Sequence, residues 1–322
     1  MGSATAMLAV ALSSMHSAHR VHATDHPTAC GVGAALTGAD AGRAVALLVD
    51  SHGPRLHALA VRMCRNRADA EDMVQDVFLQ ALRKWHTFRG EAQPGTWLYA
   101  IAARACRSRS RRKGGTDARQ VPVSQLMPWS ETTVMELAAA PAGHEDESER
   151  KEAVARVQSE IARLPEHLRM PVVLKEVLGM SVEDVAAALG LAENTVKTRL
   201  HRARLALRKA MTAKAARVAA PPPIYEKQVC LDLLKAKMEA MDRGGTAAGE
   251  RVPQAEVCAR CRAVFRELDF VQDACAQMGH GQMPAALREK ILRALRAREQ
   301  SERASQGRPA RGRRPVPGRA RR

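Results

Sequence analysis

The chain is poor in aromatic residues, with three Trp, two Tyr and four Phe among 322 residues. Long alternating runs of β-branched residues are also missing, and Ala, Leu and Val supply most of the apolar content. Both features point away from sheets and toward small helical bundles, so the expected fold class is all-α. No stretch approaches the ~18 apolar residues that a membrane-spanning helix needs. Seven cysteines (Cys30, Cys64, Cys106, Cys230, Cys258, Cys261 and Cys275) are too scattered, and odd in number, for a disulfide framework. Met7 to Leu12 imitates the core of a signal peptide but lacks the Lys or Arg that should precede one. The expectation is therefore a cytoplasmic protein with no membrane partner. A Gly-rich phosphate loop, a His-Glu-x-x-His motif and a Gly-x-Ser-x-Gly elbow are all absent, and no enzymatic activity is expected.

What is abundant is positive charge. There are 51 Lys and Arg against 34 Asp and Glu, a formal net charge of +17. Such a balance suits a polyanion, because each neutralised phosphate releases condensed counterions.

Composition divides the chain into blocks. Residues 1–42 lack a sustained period and are expected to be a disordered leader. A first folded block covers 43–113, a Gly-, Pro-, Ser- and acid-containing linker covers 114–150, and a second block covers 151–212. Residues 213–224, with Pro221-Pro222-Pro223, form a spacer that cannot continue a helix. A cysteine-containing helical block spans 225–298, and 299–322 is an Arg-rich disordered tail.

The strongest local signal lies between Gly179 and Leu207. Ser181 is a helix N-cap with Asp184 at the third helical position of a capping box, and Gly190 supplies the left-handed residue that ends the first helix. After a short turn, Val196, Leu200, Ala203 and Leu207 form an apolar stripe at helical spacing. This is a helix-turn-helix, with Glu193 to Lys209 as the helix that enters the major groove. In such helices the first turn faces base edges and later cations meet phosphates. Glu193, Asn194, Lys197 and Thr198 are assigned to base reading, Thr195 to the same donor surface, and Arg199, Arg202 and Arg204 to phosphates.

In the first block, 69–85 is an amphipathic helix whose buried stripe is Val74, Val77, Phe78, Ala81 and Trp85. Asp69, Asp72 and Asp76 cluster on another face, where like charges cost a few tenths of a kcal/mol per pair, roughly. A basic protein partner would explain that clustering. The loop 87–96 leads into a helix that opens on Trp97 and Tyr99 and continues through Arg104, Arg107 and Arg111. Aromatics beside a cationic track suit single-stranded nucleic acid, which needs stacking for bases and charge for phosphates.

Three stretches, "DAEDMVQDVFLQAL", "FRGEAQPGTWLYAIAARACRSRSRRK" and "LPEHLRMPVVLKEVLGMSVEDVAAALGLAENTVKTRLHRARLALRK", occur in an order that resembles the extracytoplasmic-function sigma factors of bacterial RNA polymerase. The resemblance implies a region 2-like bundle followed by a region 4-like helix-turn-helix. It implies core RNA polymerase and promoter DNA as partners, admits an anti-sigma factor as another, and requires no cofactor for promoter recognition. Asp69, Asp72, Gln75 and Asp76 would dock on the polymerase. Phe88, Arg89, Trp97, Tyr99, Arg104, Arg107 and Arg111 would contact the opened minus-ten element. The helix from Glu193 would read the minus-35 element.

The third block resembles a zinc-binding anti-sigma domain through Cys230 and the Cys258-x-x-Cys261 pair, although Gln254 stands where that pattern has His. Cys275 or His280 would then complete a site for zinc or another metal. A purely structural role for these cysteines and a thiol redox role are the alternatives. At the level of the whole chain, the competing reading is a one-component regulator, a helix-turn-helix fused to a metal- or redox-sensing domain. That reading leaves the acidic helix and the aromatic-basic helix without a task.

Overall fold

A computed structural model describes residues 40–64, 66–112, 122–135, 147–244 and 257–306. The leader expected over 1–42 and the tail expected over 299–322 lie largely outside these residues.

Helices dominate, as expected. The N-terminal bundle consists of α1 (Ala41–Met63), α2 (Arg67–Lys84) and α3 (Pro94–Arg112), with the 3-10 turn Trp85–Thr87 following α2. Asn66 caps α2 by accepting the Asp69 backbone N–H at 2.8 Å. The stripe Val74, Val77, Phe78 and Ala81 is fully buried, and Trp85 at its end is half-buried. Cys106 is buried and Cys64 half-buried beside Met73, as ordinary packing residues.

The second block contains α5 (Glu147–Arg163), α6 (Glu166–Val172) with its π-turn Val173–Val177, α7 (Val182–Leu189) and α8 (Glu193–Lys214). The C-terminal extension contains α9 (Lys227–Asp242), α10 (Ala259–Gln277), the 3-10 turn Met278–His280 and α11 (Ala285–Gln306).

The segment expected as a linker contains regular structure. It holds the one-turn helix α4 (Val123–Leu126), a 3-10 turn at Pro128–Ser130 and strand β1 (Thr133–Met135). Strand β1 pairs antiparallel with β2 (Arg217–Ala219), which comes from the stretch expected as a Pro-rich spacer, with Val134 opposite Val218. Buried Glu267 of α10 accepts the Met135 N–H at 2.6 Å, so a side chain satisfies backbone that the short ladder leaves open.

The three blocks pack against one another. Thr96 Oγ1 donates to Asp184 Oδ1 at 2.8 Å, and Arg55 donates to the Leu178 carbonyl, joining the N-terminal bundle to the helix-turn-helix. Apolar residues of α9 and α10, including Leu234, Met238, Val264 and Leu268, share a core with Leu205 of α8.

Candidate nucleic-acid interface

Local sequence fixes the geometry of the helix-turn-helix. Ser181 Oγ accepts the Asp184 N–H at 2.9 Å, the N-cap half of a capping box, and its hydroxyl donates to Asp184 Oδ2 at 2.7 Å. Gly190 has φ +65°, the left-handed conformation that stops α7 and turns the chain into α8. Val196, Leu200, Ala203 and Leu207 are buried, and over the first two turns of α8 the opposite face is left to solvent.

On that face Glu193, Asn194, Lys197 and Thr198 are exposed, and Thr195, Arg199 and Arg202 are half-buried. Thr198 Oγ1 donates to the Asn194 carbonyl at 2.8 Å, orienting its hydroxyl within the first turns. The pair Lys197–Glu193 at 3.6 Å is solvent-exposed and therefore weak. Nearby His167 has its pKa lowered by burial and then by Arg199 and Arg202, a sign of the positive field these guanidinium groups set up.

Arg204 departs from expectation. It is 2% exposed, and its guanidinium meets Glu176 and Asp242, each at 2.6 Å. Burial opposes its charge, but the two carboxylates outweigh that and raise its pKa. An arginine so enclosed does not face a phosphate in this structure, and Arg204 is withdrawn from the phosphate set. One turn later Arg208, 0% exposed, meets Glu131 and Glu267, each at 2.6 Å. Sequence reading missed this second arginine. Its signal was the spacing: Arg204 and Arg208 lie four apart, directly after Ala203 and Leu207 of the buried stripe.

The N-terminal bundle presents an aromatic group. The rings of Trp85 and Phe88 stack at 5.0 Å, and Trp97 meets Trp85 edge-on at 5.6 Å. Phe88 and Trp97 are half-buried, while Arg89, Arg104 and Arg107 are exposed, so an aromatic step and a cationic track occur in one bundle. The side chain of Arg111 lies outside the described residues. Tyr99 is corrected to core. It is 2% exposed, its hydroxyl lacks a partner, and burial pushes its pKa up to about 12. It faces His52 edge-on rather than solvent.

On α2, Asp72 and Asp76 are exposed and Asp69 and Gln75 are half-buried. Arg109 of α3 pairs with Asp76, and Lys290 of α11 approaches Asp72 at 3.8 Å.

The expected four-cysteine site is not assembled. Cys275 is fully buried, near Glu176 and Arg62, and it follows Cys261 on the same helix by about 21 Å at the α-helical rise. Cys230, Cys258 and Cys261 do come together. The Cys261 thiol is held well above its usual pKa by burial and by hydrogen bonds with Cys230 and Cys258. For Cys258, at the N-cap of α10, burial is outweighed by hydrogen bonds from Cys261, Ile224 and Arg260, which lower its pKa. Among the described residues no group of three or more His, Cys, Asp or Glu is arranged to hold a metal ion. The side chain of His280 lies outside the described residues.

Comparison with known proteins accounts for both DNA-facing blocks. Residues 48–116 match the family model for sigma-70 region 2, and residues 155–207 match the model for sigma-70 region 4. Both matches end before the extension. The chain is 34% identical over 156 residues to the ECF RNA polymerase sigma factor SigM of Mycobacterium tuberculosis, covering 48% of this chain and 71% of that protein. It is 32% identical to the RNA polymerase sigma-H factor of Pseudomonas aeruginosa, covering 52% of this chain and 86% of that one. With the ECF sigma factor SigW of Bacillus subtilis it shares 32% identity, covering 52% and 88%. The region 2 match takes in the acidic and aromatic-basic helices that a one-component regulator leaves unused. The chain belongs to the extracytoplasmic-function family of RNA polymerase sigma factors.

Proposed function

We propose a division of labour between the exposed surfaces of this sigma factor. As a member of its family the chain binds core RNA polymerase and directs it to promoters, in a family that is not enzymatic and needs no cofactor. The face of α8 carrying Glu193, Asn194, Thr195, Lys197 and Thr198 reads the minus-35 element, and Arg199 and Arg202 hold its phosphates. Phe88 and Trp97, with Arg89, Arg104, Arg107 and Arg111, receive the opened minus-ten strand. Asp69, Asp72, Gln75 and Asp76 dock on the polymerase.

One observation carries the reading of α8: its apolar stripe is buried while its first two turns leave Glu193, Asn194, Lys197 and Thr198 exposed. Run-off transcription with purified core polymerase tests the whole. The chain is expected to convert core from promoter-blind to promoter-directed initiation, and failure to bind core or to direct initiation would sink the proposal.

A metal held by Cys230, Cys258 and Cys261 with a fourth donor is a separate proposal for the extension. The thiol cluster supports it and the displaced Cys275 weakens it. Equal metal content in the purified protein and in Cys258→Ser would reject it.

A further inference from the structure

We propose that the C-terminal extension is an intramolecular clasp, closing the two promoter-binding blocks on each other and setting Lys290 beside Asp72 of the polymerase-docking helix. The inference rests on the sigma-factor reading for its consequence and on geometry alone for the closure.

The extension grips both blocks with different chemistry. Toward the helix-turn-helix it offers Asp242 and Glu267, which take Arg204 and Arg208 of the recognition helix, each contact at 2.6 Å. Gln272 adds a bond to Glu176 at 3.3 Å, on the same surface. Toward the N-terminal bundle, Arg288 meets Asp50 at 2.6 Å and Lys290 approaches Asp72 at 3.8 Å, both pairs solvent-exposed, so that they set the register of the contact more than its strength. Acids of the extension thus face the basic block, and bases of the extension face carboxylates of α1 and α2. Charge complementarity of this kind fixes the partner and its register.

The turn Met278–His280 joins the two grips. Arg62 of α1 donates to the Met278 carbonyl at 2.9 Å. On its other side Gly279 lies so close to the π-turn that an added Cβ would sit 2.2 Å from the Val177 carbonyl oxygen. This glycine is needed for approach. A side chain there would push the extension away from the helix-turn-helix block.

Closure conflicts with simultaneous binding of both promoter elements. Their centres, about 25 base pairs apart, are separated by on the order of 85 Å of duplex at ~3.4 Å per step. In the closed chain Thr96 of the minus-ten block and Asp184 of the minus-35 block are hydrogen-bonded at 2.8 Å. Promoter binding therefore requires the blocks to part. Lys290 must also leave Asp72 if that carboxylate is to meet the polymerase.

The test uses the full chain with a donor and an acceptor fluorophore at exposed Arg83 and Glu183, introduced as unnatural amino acids. Three variants are compared with the parent: Arg288→Glu/Lys290→Glu, Gly279→Val, and the swapped pair Arg288→Glu/Asp50→Arg. The first two are expected to lower energy transfer in the free protein and to bind core polymerase about three- to tenfold more tightly. The swapped pair is expected to return both values toward the parent. Since Arg288, Lys290 and Asp50 are surface residues, loss of folding does not confuse the first and third variants. Parental transfer and parental affinity in the first two variants would overturn the clasp. Lowered transfer with no polymerase binding by any form would instead overturn the sigma-factor reading, and with it the clasp's regulatory meaning.

Discussion

Arg208 of the recognition helix and Glu267 of α10 form an ion pair at 2.6 Å with side chains 0% and 1% exposed, across 59 residues of sequence. Glu267 uses its other oxygen to accept the Met135 N–H, and Arg208 uses its other terminal nitrogen to reach Glu131. One buried pair therefore ties α8, α10 and β1 together. Desolvation of two charges offsets most of their attraction, so such a pair specifies the arrangement more than it stabilises it. Removing one partner is a different matter, because the survivor is left buried and uncompensated.

Glu267→Ala should therefore destabilise the chain by about 3–5 kcal/mol, the range for breaking a buried pair. Chemical denaturation measures it. Arg208→Met combined with Glu267→Leu should recover part of that loss, since neither charge of the pair then remains, while Glu131 and the Met135 N–H lose their partners. A Glu267→Ala protein as stable as the parent would mean that the pair is open to water in solution.

Arg199 and Arg204 should separate in a salt titration of promoter-duplex binding. Arg199→Ala is expected to lower the slope of log affinity against log salt by about one unit, as for the loss of one phosphate contact. Arg204→Ala should leave the slope unchanged and lower folding stability, because its carboxylate partners Glu176 and Asp242 become orphans. An unchanged slope for Arg199→Ala would place that residue off the phosphates.

These two arginines also show what was legible in the sequence. Caps, the Gly190 turn and the apolar stripe of α8 depend on residues within a few positions, and the structure has each where spacing put it. The fate of Arg204 depended on Asp242, 38 residues further along, and nothing local marks that carboxylate as its partner. Tyr99 failed for a related reason. In a helix that opens on Trp97 and Tyr99, both rings suit a stacking surface, and only the packing of α1 against α3 buries the second beside His52. The β1–β2 ladder was missed because three-residue strands carry no usable period, and Glu267 completes one of its bonds from another block.

His52 should make the fold acid-sensitive in a defined window. Burial, and then the charge of Arg55, lower its pKa from 6.5 to about 4. Between these values the unfolded chain takes up a proton that the folded chain refuses, so stability falls as pH falls through the window and levels off below it. The span corresponds to about 3 kcal/mol for this one group. His57, His167 and His201 are shifted in the same direction, burial being the first cause in each, and add to the slope. Denaturation curves at several pH values should show His52→Gln with a shallower dependence than the parent. Identical pH profiles would mean that His52 is protonated in the folded state.

Phe88 offers the sharpest separation of promoter opening from promoter binding. Its ring stacks on Trp85 at 5.0 Å and stands 5.5 Å from Trp97, while the flanking Arg89 is exposed. A base leaving the duplex loses its stacking partners, and an aromatic ring replaces about 1–3 kcal/mol of that interaction per base. Phe88→Ala should accordingly reduce promoter opening by roughly 5- to 150-fold, that energy expressed as an equilibrium. Binding of the holoenzyme to an isolated minus-35 duplex should be unchanged, because α8 is untouched. A template unpaired in advance across the minus-ten element should restore much of the lost activity, since the duplex no longer has to be opened. Fluorescence of a base analogue in that element reports opening directly. Equal opening by Phe88→Ala and the parent would remove Phe88 from the melting surface and leave Trp97 and the arginines of α3 to hold the strand.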